Sequence, residues 1–352
     1  MLVAVDSVLV VDDSAVVAVD SVLVVGDSTL VVDESVLVVG SLSFVPEPPS
    51  LDPGAPLTSM ASPQLWIQAA RPKTLTAALA PVWIGIGYAA WQGQFRALPA
   101  LAALVGAILI QIGTNFANDY YDHVRGGDTA ERVGPVRVTQ AGLIAPVAVR
   151  NAAFLTFGAA MAVGVYLVAV GGWPIVVIGL ASVASGLAYT AGPFPLAYNG
   201  LGDLFVLVFF GPVAVGGTYW VQALEWRGDL LVAGLGVGAL STAILAANNL
   251  RDLETDRVAG KRTLPVLLGR GAGRAEYALM VAVGAAALIG GVLTAGWPVW
   301  VLLGLVGVLA TGPALRQVLT EEQARAVLPA LPITAKATGL YGVLVAVGFA
   351  LG

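Results

Sequence analysis

From residue 60 onward the chain is built of long apolar runs separated by short polar breaks. Nine runs stand near 74–92, 97–119, 147–170, 173–191, 201–221, 229–249, 273–295, 297–314 and 333–351. At roughly 1.5 Å of helical rise per residue such runs cross most or all of a hydrocarbon layer about 30 Å thick. They lack the short alternating segments of a membrane barrel, so the pattern predicts an all-α bundle of about nine transmembrane helices. A short amphipathic entry over 66–73 precedes the first run. The triplet Gly-Trp-Pro at 172–174 and again at 296–298 predicts tight turns with tryptophan at the membrane interface.

The first 59 residues follow another rule. Between residues 6 and 40 the sequence repeats every seven positions, from Asp6, Asp13, Asp20, Asp27 and Glu34, each followed by serine and then mostly valine and leucine. Contiguous valine-rich positions suit neither a coiled-coil seam nor helix propensity, and an acid in every repeat prevents an uninterrupted span. The expectation is a low-complexity extension over 1–59, disordered or artefactual and without function, with Met60 opening a transmembrane domain over 60–352.

Composition agrees with the pattern. With 58% hydrophobic and 11% charged residues, the chain cannot cover its apolar surface with polar groups, and a bilayer is its first partner. The absence of cysteine excludes disulfides, thiolate metal sites and cysteine nucleophiles, and the single histidine, His123, excludes a multi-histidine cage. Nine of the 22 acids lie in the first 59 residues, which hold no lysine or arginine, so the remainder carries +4. Threading nine crossings puts fifteen basic residues on one side and only Arg96 and Arg227 on the other. The positive-inside rule makes the crowded side cytoplasmic. No feature calls for nucleic acid or an obligate protein partner.

Two acidic stretches close the second and sixth runs on that same side. The first holds Asn118, Asp119, Asp122 and, beyond a Gly-Gly pair, Asp128; the second holds Asn248, Asn249, Asp252 and Asp256. Asn118 and Asp122 stand four apart, as do Asn248, Asp252 and Asp256, so on a helix each set shares one face. An unpaired aspartate at membrane depth costs about 3 kcal/mol, which calls for compensating positive charge. Oxygen-only ligands select a hard cation such as Mg2+, which completes its shell with water and substrate phosphate. Lys73, Arg132, Arg137, Lys261 and Arg262 are candidates to hold a diphosphate, whereas His123 is a bystander to an oxygen-seeking ion. The echo between the two stretches hints at an internal duplication.

Several short segments then carry a resemblance: Ala-Arg-Pro-Lys-Thr-Leu over 70–75, Asn-Asp-Tyr-Tyr-Asp over 118–122, the stretch 134–140, the stretch 189–196 and the stretch 248–263. Together they resemble the UbiA-type superfamily of membrane prenyltransferases, and most closely its naphthoate-prenylating branch. That branch shares the longer spacing to Asp128. The resemblance covers residues from about 60 to the C-terminus. It implies transfer of a polyprenyl group from its diphosphate to 1,4-dihydroxy-2-naphthoate, with loss of CO2 and diphosphate, giving demethylmenaquinone at the cytoplasmic face of the cell membrane.

It also implies a metal set of Asn118, Asp119, Asp122, Asp128, Asn248, Asp252 and Asp256 holding two Mg2+ ions. Lys73, Arg137 and Lys261 would act on the leaving diphosphate, with Arg132 and Arg262 assisting, and Asp203 would orient an acceptor hydroxyl. Tyr120, Tyr121 and Tyr189, with Phe194 and Tyr198, offer ring faces to an allylic cation, and Asn249 would contact substrate. Two other readings are another aromatic acceptor for the same chemistry and an ion- or proton-coupled transporter, since intramembrane acids also mark ion paths.

Overall fold

In the computed structural model the described residues are 62–127 and 133–352, together with six short strands between residues 3 and 41. The chain divides into two compact units, 1–59 and 60–352. In the first, the valine-rich runs of the repeat pair as antiparallel strands. β1 (Val3–Val5), β4 (Val22–Val25), β5 (Ser28–Asp33) and β6 (Val36–Ser41) form one sheet in that order, and β2 (Val8–Asp12) pairs with β3 (Ala15–Val19). β-branched residues favour this backbone over a helix. Residues 42–59 of the expected extension lie outside the described residues.

The second unit is all-α, as the apolar runs predict. α1 (Pro63–Ala70) and a short 3-10 turn lead into α2 (Leu75–Trp91), followed by α3 (Ala97–Val124), α4 (Pro146–Gly171) and α5 (Trp173–Ala188). α6 (Gly202–Val208) and α7 (Ala214–Ala223) flank a π-helical turn, and α8 (Leu230–Arg251) continues past Asp252 into α9 (Leu253–Val258). α10 (Leu264–Leu268), α11 (Arg270–Thr294), α12 (Leu305–Leu309), α13 (Gly312–Thr320), α14 (Ala324–Val327) and α15 (Ala330–Ala350) complete the bundle.

All nine expected runs form helices, though not alike. Among the described residues seven helical stretches are long and apolar enough to cross a bilayer alone, and an eighth passage is bent by 42° between α12 and α13. α5, the remaining apolar run, has 16 residues, roughly 24 Å at 1.5 Å per residue, and falls short of a full span. Hydropathy locates apolar runs but does not register bends. Both Gly-Trp-Pro turns form, with Gly172 and Gly296 at φ of +71° and +69°, a region glycine enters without penalty.

α8 is the central helix, with 78% of its most apolar stretch buried against 17% for α4 at the periphery. Its many alanines and glycines let neighbouring backbones approach, the usual basis of helix association in lipid. Outward, Leu155, Val165 and Leu293 are each more than two-thirds exposed. Such an apolar surface requires lipid around it.

The candidate active site

One cavity of about 330 Å³ collects both acidic stretches. At its polar end stand Asn118 and Asp122 from the last turns of α3, Asn248 from α8, Asp252 at the junction and Asp256 from α9. Helical spacing accounts for the first pair. In the second stretch the helix changes direction at Asp252, yet the Asp256 amide still donates to the Asp252 carbonyl at 2.7 Å, which keeps both side chains on the cavity face.

Lys261 joins the two stretches. Its Nζ lies 3.9 Å from Asp122 Oδ1 and 3.5 Å from Asp256 Oδ1, over the Tyr198 ring at 5.1 Å. Arg137 approaches Asp122 from the other oxygen, Nη2 to Oδ2 at 3.3 Å, and is buried. Carboxylates from two distant segments thus surround shared positive charge, the arrangement their desolvation demands.

Each Asn/Asp pair is also oriented by neutral or cationic donors. Thr190 Oγ1 donates to Asn118 Oδ1 at 2.9 Å and Tyr198 OH to Asp122 Oδ1 at 3.0 Å. In the second stretch buried Arg251 performs the same task, donating from Nε to Asp252 Oδ1 at 2.7 Å and from Nη2 to Asn248 Oδ1 at 2.8 Å. Below these groups the walls turn apolar. Ala77, Pro81, Phe205, Phe209 and Phe210 line the depth, with Asp203, Asn249 and Tyr189 at the transition. Asn249 Nδ2 donates to Asp203 Oδ1 at 3.4 Å.

The cavity therefore brings together Asn118, Asp122, Asn248, Asn249, Asp252, Asp256, Arg137, Lys261, Asp203 and Tyr189 from the expected set. Others stand elsewhere. Asp119 is buried but faces the backbone amides of Val138 and Thr139 and the charge of Arg71, one helical position off the cavity face. Lys73 is exposed and outside the cavity lining. Arg262 is exposed too, and its backbone N–H donates to the Tyr198 carbonyl. Tyr120 and Tyr121 pack edge to face, 4.9 Å apart, in a separate apolar cluster with Phe116. Asp128 and Arg132 lie outside the described residues.

Three residues enter the site that the pattern did not single out for it, and a fourth, Tyr198, enters it in a different role. Arg71 lines the cavity in place of Lys73, because a left-handed turn at φ +52° separates α1 from the next turn and redirects its side chain. Thr190, Arg251 and Tyr198 orient the acidic groups. Only Tyr198 carried a prior signal, as a ring face, and its hydrogen bond to Asp122 spans 76 residues.

The described residues thus form a long-helix membrane bundle with two converging Asn/Asp stretches at one end of a cavity whose other walls are apolar. The UbiA prenyltransferase family matches residues 78–350. A 1,4-dihydroxy-2-naphthoate octaprenyltransferase from Mycobacterium tuberculosis is 40% identical over 295 residues, 83% of this chain and 99% of that relative. The protein of the same description from Escherichia coli is 40% identical over 62% of this chain and 73% of its own length. In fold, the chain resembles a UbiA homolog from Archaeoglobus fulgidus bound to GPP and Mg2+, at 14% identity and a TM-score of 0.54, across 80% of this chain and 99% of that one. The chain belongs to the UbiA prenyltransferase family and is an integral membrane prenyltransferase.

Proposed function

We propose that this protein transfers a polyprenyl group from its diphosphate to 1,4-dihydroxy-2-naphthoate, with its catalytic unit in residues 60–352. One observation carries the reading: Lys261 holds Asp122 and Asp256 of the two stretches around a single positive charge, directly above an apolar chamber. The naphthoate acceptor follows the relatives, which are described as 1,4-dihydroxy-2-naphthoate octaprenyltransferases at 40% identity.

The residues fit a divalent cation. Asp122, Asp252 and Asp256 with the amide oxygens of Asn118 and Asn248 form an oxygen-only donor set in one cavity. Among the described residues no three acidic or imidazole groups stand close enough to cage an ion alone. Mg2+ commonly takes one or two carboxylates and draws the rest of its shell from water and substrate phosphate. Bound there, Mg2+ would neutralise charge on the departing diphosphate. Asn118, Asp122, Asn248, Asp252 and Asp256 would hold it; Asp119 instead faces the backbone amides of Val138 and Thr139.

Arg71, Arg137 and Lys261 bind the diphosphate oxygens and pull on the leaving group. The allylic C–O bond breaks with both electrons going to diphosphate. Tyr189 offers its ring to the resulting cation, and the apolar walls exclude water that would quench it. Asp203, held by Asn249, accepts a hydrogen bond from an acceptor hydroxyl and so aims the ring carbon. That carbon bonds to the prenyl carbon, and the carboxylate leaves as CO2, returning its bonding pair to the ring. The product is the reduced, prenylated naphthoquinone. We place this face of the protein in the cytoplasm, where its basic residues belong.

The test supplies membranes bearing the protein with labelled polyprenyl diphosphate, Mg2+ and a panel of aromatic acids. The expected product forms with dihydroxynaphthoate, also from a chain begun at Met60, and drops by about 10²–10³-fold in Asp122→Asn or Asp252→Asn. Product with a different acceptor alone would overturn the acceptor, and full turnover in either variant would overturn the metal assignment.

A further inference from the structure

Within the catalytic cavity one buried polar side chain stands well below the acidic stretches. Gln111 lies on the same face of α3 as Asn115, Asn118 and Asp122, and lines the wall with them. Seven positions separate it from Asn118, which at 1.5 Å of rise per residue sets it roughly 10 Å deeper in the bundle. Ala107 and Ile110 adjoin it on that wall, so its amide stands among apolar neighbours.

Hydrogen bonds fix which end of that amide meets the cavity. The Ala70 carbonyl can only accept, so Asn115 turns its Nδ2 to it, at 2.8 Å. Thr74 agrees with this orientation: its hydroxyl donates to the Arg71 carbonyl at 2.9 Å, which leaves a lone pair for the same Nδ2 at 3.2 Å. Asn115 is thereby left with Oδ1 to offer, and Gln111 Nε2 donates to it at 3.3 Å. Gln111 Oε1 accepts no hydrogen bond among the described residues. One backbone carbonyl thus sets two amides in series and leaves an accepting oxygen on the cavity wall.

The reactants differ in what they can offer such an oxygen. A prenyl tail carries no polar hydrogen, and a diphosphate is itself an acceptor, held by cations at the polar end. A dihydroxynaphthoate ring carries two hydroxyl donors, and Asp203, steadied by Asn249 at 3.4 Å, takes one of them. We propose that Gln111 is a specificity-determining residue for the acceptor, its Oε1 receiving the other hydroxyl. This rests on the reading of the acceptor as 1,4-dihydroxy-2-naphthoate. Para hydroxyls point away from each other, so a ring held at both cannot turn in its own plane, and the carbon that attacks is fixed. A carbonyl in an apolar wall is costly without a donor, so a ring lacking that hydroxyl is rejected by the unpaired oxygen it leaves behind.

Purified protein in liposomes is assayed with each substrate varied in turn, for wild type and for Gln111→Met, which keeps the length of the side chain and removes its amide. The KM for dihydroxynaphthoate should rise about tenfold, the scale of one lost buried hydrogen bond, while the KM for polyprenyl diphosphate and the thermal midpoint stay at wild type. The two monohydroxy acids, 1-hydroxy-2-naphthoate and 4-hydroxy-2-naphthoate, then identify the bond as competing inhibitors. Only one of them keeps the hydroxyl that Gln111 receives, so the substitution should weaken that one about tenfold and leave the other as it was. An unchanged acceptor KM would overturn the proposal, as would equal effects on the two inhibitors. A rise in both KM values with a lowered midpoint would also overturn it, reducing Gln111 to a prop for Asn115 and the backbone at Ala70. Wild-type protein that prenylates another aromatic acid but not dihydroxynaphthoate would instead overturn the acceptor reading, and the proposal with it.

Discussion

Arg125 acts on the site through two intermediaries. Its Nε donates to the Thr190 carbonyl at 2.9 Å, a second nitrogen reaches the Gly192 carbonyl, and its guanidinium lies over the Tyr198 ring at 5.8 Å. Thr190 and Tyr198 are the donors that orient Asn118 and Asp122. Arg125 is thus a positioning residue, and groups of this kind commonly contribute 10- to 100-fold to metal affinity. In Arg125→Ala the Mg2+ concentration for half-maximal transfer should rise about tenfold, with partial recovery in Arg125→Lys. A fall in rate at unchanged Mg2+ dependence would reduce Arg125 to loop support. This connection was not legible in the sequence, because its links join residues 65 to 76 positions apart. The acidic groups themselves were legible, since spacing of four repeats within each stretch and needs only a helix to align it. Lys73 and Arg71 show the limit of such reasoning: two residues apart, they face different ways, and a local left-handed turn decides which meets the cavity.

Among elements, length was readable and contact was not. Helix α3 runs through Val124 rather than stopping near 119, because its polar last turns find partners inside the protein. The π-helical break between α6 and α7 carried only a Gly-Pro pair as signal, consistent with a crossing expected as continuous over 201–221. Close helix crossings are equally silent. At the α2–α15 crossing a Cβ on Gly87 would meet Ala346 backbone at 2.5 Å, and one on Gly342 would meet Ala80 backbone at 2.6 Å. Overpacking against backbone that cannot retreat typically costs about 1–3 kcal/mol or more. Gly87→Leu should therefore lower the thermal midpoint in detergent and reduce the folded yield. Gly158→Leu on α4, where an added Cβ meets nothing within 4 Å, should leave both near wild type. Equal midpoints for the two variants would show that the crossing yields more than its backbone spacing implies.

For the molecule as a whole, charge asymmetry and site location point the same way. Arg96 and Arg227 are both anchored at the end away from the acidic stretches. The Arg96 amide donates to Gln222 at 2.6 Å at the end of α7, and Arg227 Nε donates to the Tyr88 hydroxyl at 2.8 Å near the end of α2. Asp229 ties that end together, accepting from Tyr88 at 2.7 Å and from Trp297 at 2.8 Å. Arg71, Arg125, Arg137, Arg251 and Lys261 gather about the site at the other end. An anionic cytoplasmic leaflet favours nearby basic residues by about 1 kcal/mol each, so inverting the bundle would forfeit a large, additive preference. Because the chain contains no cysteine, single reporters can be read without background. Gln94→Cys sits in the exposed α2–α3 turn at the far end, and Glu254→Cys sits exposed on α9 beside the site. A membrane-impermeant maleimide applied to intact cells should label Gln94→Cys at once and Glu254→Cys only after the membrane is opened. The reverse order would put the catalytic face outside and overturn the cytoplasmic assignment.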